Sequence, residues 1–232
     1  MARVLVTRAM PEAEDTAAML RAGGHAPVLL PLRRVEELPV TWPDEAPDAL
    51  IATSRNAFRF ALPEAWRALP VFCVGGQTGE AARGAGFRTV QTADGDAGRL
   101  ALDILARAPA NWRLVYLAGE PRRDELEMRL GAAQRSLAVI IRYRLVPNEL
   151  SEEAVKQALQ ASESVLHFSA QSARAFADLV RRFGLDGAAR ALDHVCISPA
   201  VARALLAAFG PVPNVRIAPS PDGASMLALI PA

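Results

Sequence analysis

The chain has 232 residues, 51% of them hydrophobic, with 26 Lys+Arg against 25 Asp+Glu. That is enough apolar material for one large domain or two small ones with real cores. A charge balance this even excludes a general nucleic-acid binder, which needs a basic face. No run approaches the ~20 apolar residues of a membrane span. The start, MARVLVTRAM, lacks the long apolar segment and small-residue cleavage site of a signal peptide. The expectation is a cytoplasmic protein with neither membrane nor nucleic acid as partner. Cys73 and Cys196 both sit in apolar runs, VFCV and HVCI. They read as small core residues, and no Cys/His spacing suggests a metal.

Arg3 to Thr7 (RVLVT) predicts a first strand, and Pro11 opens a helix with Glu12, Glu14 and Asp15 in its early turns. Gly23-Gly24 ends it, and Pro27 to Leu32 is a second strand running on into the polar stretch RRVEELP. Pro39, Pro43 and Pro47 then break up regular structure. Ala49 to Thr53 (ALIAT) begins a fresh buried strand, followed by Ser54-Arg55-Asn56-Ala57 and a helix. Val71 to Val74 is a strand, Gly75-Gly76 a tight turn, and Gln77 to Ala85 a helix ended by Gly86.

Farther on, Arg88 to Thr92 is a strand and Asp94-Gly95-Asp96 a turn with cap residues, leading to a helix from Ala97 to Ala106. The strand Leu114 to Leu117 ends near Gly119, a charged helix runs from Arg122 to Leu130, and Leu137 to Val146 is a long strand. A third group repeats the pattern. It has a helix from Glu152 to Gln160, strands at Val165 to Phe168, His194 to Ile197 and Val215 to Ala218, and helices between and after them.

Two features organise these elements. The first is an internal repeat, with LIATSRNAFRFAL resembling LHFSAQSARAFADL and VFCVGGQTGEAARGAGF resembling HVCISPAVARALLAAFG. The second is a pair of long polar strands, PVLLPLRRVEELP and LAVIIRYRLVPNEL, that bracket the middle block. Together they predict an α/β fold of two doubly wound domains, each with a five-stranded parallel sheet, joined by two extended crossing strands. Residues 1–34 plus 149–232 form the outer domain and 41–140 the inserted one, with linkers at 35–40 and 141–148.

Ligands of open α/β sheets lie beyond the carboxyl ends of the strands. Those ends carry Thr7-Arg8, Thr53-Ser54, Gly75-Gly76, Gly119, Ser169-Ala170, Ser198-Pro199 and Pro219-Ser220. Each hydroxyl alone is as well explained by helix capping. Collectively they suit a polyanion held by N–H groups and hydroxyls in a cleft between the domains. No GxGxxG follows the first strand and no GxxxxGK[ST] occurs, so a nucleotide-dependent enzyme is unsupported. His25, His167 and His194 read as structural. Tyr143, between Arg142 and Arg144 in the second crossing strand, is either a packing residue at the junction or a phenol able to donate a proton. Tyr116, mid-strand, reads as core.

The ordered set VLVTRA, ATSRNAF, VFCVGGQTGEAARGAGF, VYLAGEPRRDEL, RYRLVP, VLHFSAQSARAF and CISPAVARAL resembles the uroporphyrinogen-III synthase family over nearly the whole chain. The resemblance implies two α/β domains joined by two extended strands. It also implies a reaction in which hydroxymethylbilane, a linear tetrapyrrole, loses water and closes with its last pyrrole inverted. No cofactor or metal is implied. It further implies a monomer whose partner is that small-molecule substrate, with transient contact to the preceding pathway enzyme.

Carried over, Tyr143 matches the tyrosine proposed to help the hydroxyl leave. Arg8 matches T-R, Ser54 and Asn56 match T-S-x-N beside Thr53, and Thr78 matches V-G-x-x-T after Gly75, Gly76 and Gln77. Ser169, Ala170 and Ser172 match the hydroxylic turn of the outer domain, with Gly119 and Ser198 completing the expected binding set. Ala200 and Val201 stand where some members carry hydroxyls, so binding there falls to the backbone and Ser198. The alternative is a non-enzymatic two-domain protein that binds or senses a small anion, since fold alone does not fix activity.

Overall fold

The computed structural model describes residues 1–230. The chain begins with β1 (Arg3–Val6), α1 (Glu12–Ala22), β2 (Ala26–Leu29) and β3 (Arg33–Glu37). The middle of the chain holds β4 (Ala49–Ala52), β5 (Val71–Val74), α2 (Gly75–Gly84), β6 (Val90–Ala93), α3 (Ala97–Arg107), β7 (Arg113–Glu120), α4 (Glu125–Ala132) and β8 (Ser136–Pro147). There follow α5 (Glu152–Gln160), β9 (Ser164–His167), α6 (Ala170–Arg182), α7 (Asp186–Arg190), β10 (Asp193–Cys196), α8 (Pro199–Phe209), β11 (Val215–Ile217) and α9 (Gly223–Leu227). The chain divides into two compact units, one made of Met1–Arg34 and the chain from Val146 onward, the other of Val35–Leu145.

The outer unit has a five-stranded sheet in the order β11-β10-β9-β1-β2, parallel throughout. Its strands are apolar on both sides because helices cover both faces. Leu5, Val165 and Cys196 pack under α5, α6, α7 and α8, while Val4, Val6, Leu166 and Val195 face α1 and α9. Helix α6 shows why it sits as it does. Ala173, Phe176, Ala177 and Val180 are buried at i, i+3, i+4 and i+7, with Arg174, Asp178 and Arg181 away from the core. Phe176 alone, truncated to Ala, would cost roughly 3–5 kcal/mol.

The inserted unit has a six-stranded sheet in the order β3-β8-β7-β4-β5-β6. Helices α3 and α4 cover one face and meet Ile51, Phe72, Leu114 and Tyr116. The other face carries Leu50, Cys73, Val115 and Leu117 against Ala57, Trp66 and Ala82. The parallel α/β class is as expected, but this sheet has one strand more than five. The polar stretch 33–37 is an edge strand on β8. Asn148 N donates to Leu32 O at 2.8 Å and Leu38 N to Arg142 O at 2.8 Å. Partner numbers fall on one strand as they rise on the other, so this pair is antiparallel. Its charged alternation, RRVEE, suits an edge with one wet side.

Two local expectations also change. After Ser54 the chain makes two short 3-10 helices, Arg55–Phe58 and Glu64–Ala68, in place of one α-helix. Pro63 between them blocks a continuous helix. The Gly75-Gly76 pair is the first turn of α2, not a separate turn, with Gly75 at φ +73, a conformation glycine takes without penalty. Helix α7 was not visible in the sequence.

Two of the three histidines belong to the outer core. His167 and His194 are fully buried and nearly coplanar, with Nε2 of His167 3.0 Å from Nδ1 of His194. Nε2 of His194 donates to the Ala189 carbonyl at 3.0 Å, so its Nδ1 accepts from His167. Burial pushes His167 down to about 3 and His194 down to about 4. In the unfolded chain both titrate near their usual ~6.5. The unfolded state therefore binds more protons below that pH, and stability is lost as pH falls. Melting temperature should hold from pH 8 to 7, then drop as pH is lowered from about 6.5 towards 4. The double variant His167→Leu/His194→Leu should show a shallower drop. Identical pH profiles for the two proteins would remove the histidines as the cause.

Candidate functional site

At the carboxyl ends of β4, β7 and β8, adjacent strands of the inserted unit, lies a cleft of about 300 Å³. Thr53, Ser54 and Asn56 line one side, Gly119, Glu120, Pro121, Arg122 and Arg123 another, and Ala97, Tyr116, Tyr143 and Leu145 complete it. Of the residues expected from sequence, Thr53, Ser54, Asn56, Gly119 and Tyr143 are thus brought together.

Tyr143 reaches this place through a β-bulge. Strands β7 and β8 pair in register up to Ala118 with Ile141, and resume at Gly119 with Tyr143. Arg142 is the extra residue. Regular alternation would put Tyr143 on the same face as Ile141, under α3 and α4. The bulge shifts the alternation, and Tyr143 joins Ile140 on the opposite face. Its ring lies directly on the backbone of Gly119. A Cβ there would stand 2.1 Å from Cε2 and Cζ of Tyr143. Gly119 is therefore the seat of the tyrosine ring before it is anything to a ligand.

The two flanking arginines do not present free cations to Tyr143. Arg142, 1% exposed, lies over the rings of Trp42 at 5.5 Å and Phe60 at 5.9 Å, and donates through Nη2 to the Ala61 carbonyl at 3.1 Å. Burial pulls its pKa down, and Glu37, 4.0 Å away, works against that. Arg144 donates to Glu36 at 2.9 Å. The cations of the cleft are instead Arg122, whose Nε donates to Glu127 at 2.7 Å, and exposed Arg123.

Tyr116, expected in the core, also lines the cleft, as do Arg122 and Arg123. Its ring is core, 3% exposed among residues packed under α3 and α4. Its hydroxyl, however, reaches the cleft and lies 2.7 Å from Thr53 Oγ1. Burial raises its pKa, the Thr53 hydrogen bond lowers it in part, and Glu127 and Tyr143 raise it further. The phenol stays protonated at neutral pH. Asn56 is buried, and its Oδ1 has no hydrogen-bond partner among the described residues.

Gly75, Gly76, Gln77 and Thr78 begin α2 at the end of β5 and are not among the residues lining the cleft. Gly76 and Gln77 are exposed, whereas Thr78 is buried. In the outer unit, the expected residues sit at that sheet's own carboxyl edge. Ser169 caps α6, accepting from Ser172 N at 3.1 Å, and the two hydroxyls are 2.9 Å apart. Ala170 is the first residue of α6, and Ser198 caps α8. Arg8 stacks over Phe168 at 4.2 Å and donates to Thr16 at 3.4 Å. Both cysteines are buried, their thiols pushed up to about 12 by burial, so they are inert core residues.

The sequence profile of the family described as Uroporphyrinogen-III synthase HemD matches residues 14–228. The chain belongs to the uroporphyrinogen-III synthase family. Among solved structures it is similar to the uroporphyrinogen-III synthetase of Helicobacter pylori, at 15% identity and TM-score 0.63, over 99% of this chain and 98% of that one. A mutant uroporphyrinogen III synthase of Thermus thermophilus aligns at 18% identity and TM-score 0.47, over 98% of this chain and 96% of that one. At such identities the Helicobacter likeness is one of fold. Comparison with curated protein sequences finds no match.

Gly119→Ala should drive the Tyr143 ring off its seat, at a cost of about 1–3 kcal/mol for overpacking. Removing the ring as well, in Gly119→Ala/Tyr143→Ala, should cost less than the sum of the single losses. Strict additivity in urea unfolding would count against the contact.

Proposed function

We propose that this chain cyclises hydroxymethylbilane to uroporphyrinogen III, with the inserted unit's cleft holding the reactive end of the substrate. The family membership supplies the reaction. The observation that carries the site is the convergence of Tyr143 with Thr53, Ser54 and Asn56 at the carboxyl edge of adjacent strands.

The chemistry asks little covalent work of the protein. The substrate closes spontaneously without inversion, so the enzyme must hold the inverting conformer and help the hydroxyl leave. As the carbon–oxygen bond breaks, its electron pair goes to oxygen and the Tyr143 phenol donates the proton that makes water. The electron-rich pyrrole carries the positive charge left on carbon until the last ring attacks. The last ring attacks through its already substituted α-carbon, and the bond from that carbon to its methylene bridge then breaks, its electron pair returning to the last ring and the positive charge passing to the bridge. The freed ring recloses on the bridge through its unsubstituted α-carbon, which loses the proton that restores the phenol.

Asn56 Oδ1 is an acceptor suited to a pyrrole N–H. Arg122 and Arg123 suit substrate carboxylates. The exposed N–H groups at the start of α2, and the serine-capped starts of α6 and α8, suit carboxylates as well. We infer that the protein works as a cytoplasmic monomer, and that it takes its reactive substrate by transient contact with the enzyme that makes it. Among the described residues, no helix is long and apolar enough to cross a membrane.

Supplied with hydroxymethylbilane, the protein should yield the inverted isomer on chromatographic separation. If only the non-inverted ring forms, as without enzyme, the proposal fails. Tyr143→Phe should lower turnover about a hundredfold, within the usual range for loss of a general acid. Undiminished turnover would take that role from Tyr143.

A further inference from the structure

We propose that Tyr116 is a positioning residue for the same reaction, fixing the Thr53 hydroxyl so that its proton points into the cleft at the departing oxygen. The inference rests on the synthase reading above and adds a residue that the family pattern does not single out.

The argument begins with the hydrogen bond. Thr53 Oγ1 and Tyr116 Oη are 2.7 Å apart, and both residues line the cleft. A phenol is far more acidic than an alcohol, so in a phenol–alcohol pair the phenol is the better donor. Tyr116 therefore donates to Thr53. The threonine hydroxyl has one proton, which is then free to donate elsewhere. Thr53 is the first residue beyond β4 and is partly exposed, whereas the Tyr116 ring is locked in the core between β7 and the helices that cover it. A rigid donor thus orients a half-exposed hydroxyl.

This arrangement lowers the cost of the reaction by pre-paying orientation. The hydroxyl leaves with its electron pair and takes its proton from Tyr143. Thr53 only donates a hydrogen bond to that oxygen, stronger as negative charge gathers there. Neither Thr53 nor Tyr116 changes its protonation. The two phenols therefore divide the work, one transferring a proton and the other holding a neighbour in place.

A merely structural Tyr116 would matter through its ring, so the test removes only the oxygen. Tyr116→Phe should leave the fold and KM close to wild type and lower kcat about tenfold, the size of one hydrogen bond used in the transition state. Thr53→Val should lose a similar amount, and Thr53→Ser should recover most of it. The double variant Tyr116→Phe/Thr53→Val should be no slower than Thr53→Val alone, because the two hydroxyls act as one unit. Wild-type kcat in Tyr116→Phe, or losses that multiply in the double variant, would overturn the positioning role while leaving the synthase reading intact. Failure of the wild-type protein to form the inverted isomer would instead remove the synthase reading, and this proposal with it.

Discussion

The contact between the Tyr143 ring and the bare backbone of Gly119 governs the inserted unit's cleft. It exists because one extra residue, Arg142, is taken into β8 just before the tyrosine. Without that residue the phenol would turn to the far face of the sheet. Without the missing Cβ of Gly119 the ring would have nowhere to lie. The bulge has its own cost, a guanidinium drawn into the interior. Trp42, Phe60, the Ala61 carbonyl and Glu37 offset that cost. The orientation of Tyr143 is thus held by packing, and a buried cation is tolerated to keep it.

Hydroxyl groups at the sheet edges fix the starts of the segments that follow. Ser54, Ser169 and Ser198 each accept a backbone N–H at the start of a helical segment. Capping fixes where those segments begin, and so where their remaining N–H groups point. A residue that caps such a segment can therefore also shape a binding edge, and the two roles are not rivals. An enzyme that steers a conformer of a reactive polyanion can be built from such ordinary parts, with no catalytic triad.

Much of this was legible in the sequence. The apolar runs ALIA and VFCV, with glycine or serine at their ends, mark buried parallel strands and their ligand edge. The repeat and the two polar strands point to two units. What stayed hidden depends on tertiary geometry. A bulge leaves no mark in a sequence, so the aim of Tyr143 and the fate of Arg142 could not be read from RYR. Alternation put Tyr116 in the core, correctly for its ring, but could not tell that its oxygen reaches past the strand end. Arg122 and Arg123 were read as part of a charged helix, which starts only at Glu125. Their place straight after a strand's carboxyl end was the available clue.

The discontinuity of the outer unit has a consequence for how the chain acquires its structure. Strand β1 is an interior strand of the outer sheet, yet its neighbour β9, the central strand, is far along the chain, as the Arg3–Glu163 hydrogen bond across 160 positions shows. The inserted unit is continuous, and its own distant pairing of β3 with β8 spans 108 positions at Arg144–Glu36. Closing a long loop costs more entropy, and contacts so far apart in sequence form late. During synthesis, residues 35–145 can collapse into their own core while β1, α1 and β2 wait with apolar faces uncovered. The inserted unit then acts as a built-in tether, shortening the effective distance that the outer strands must search before they pair.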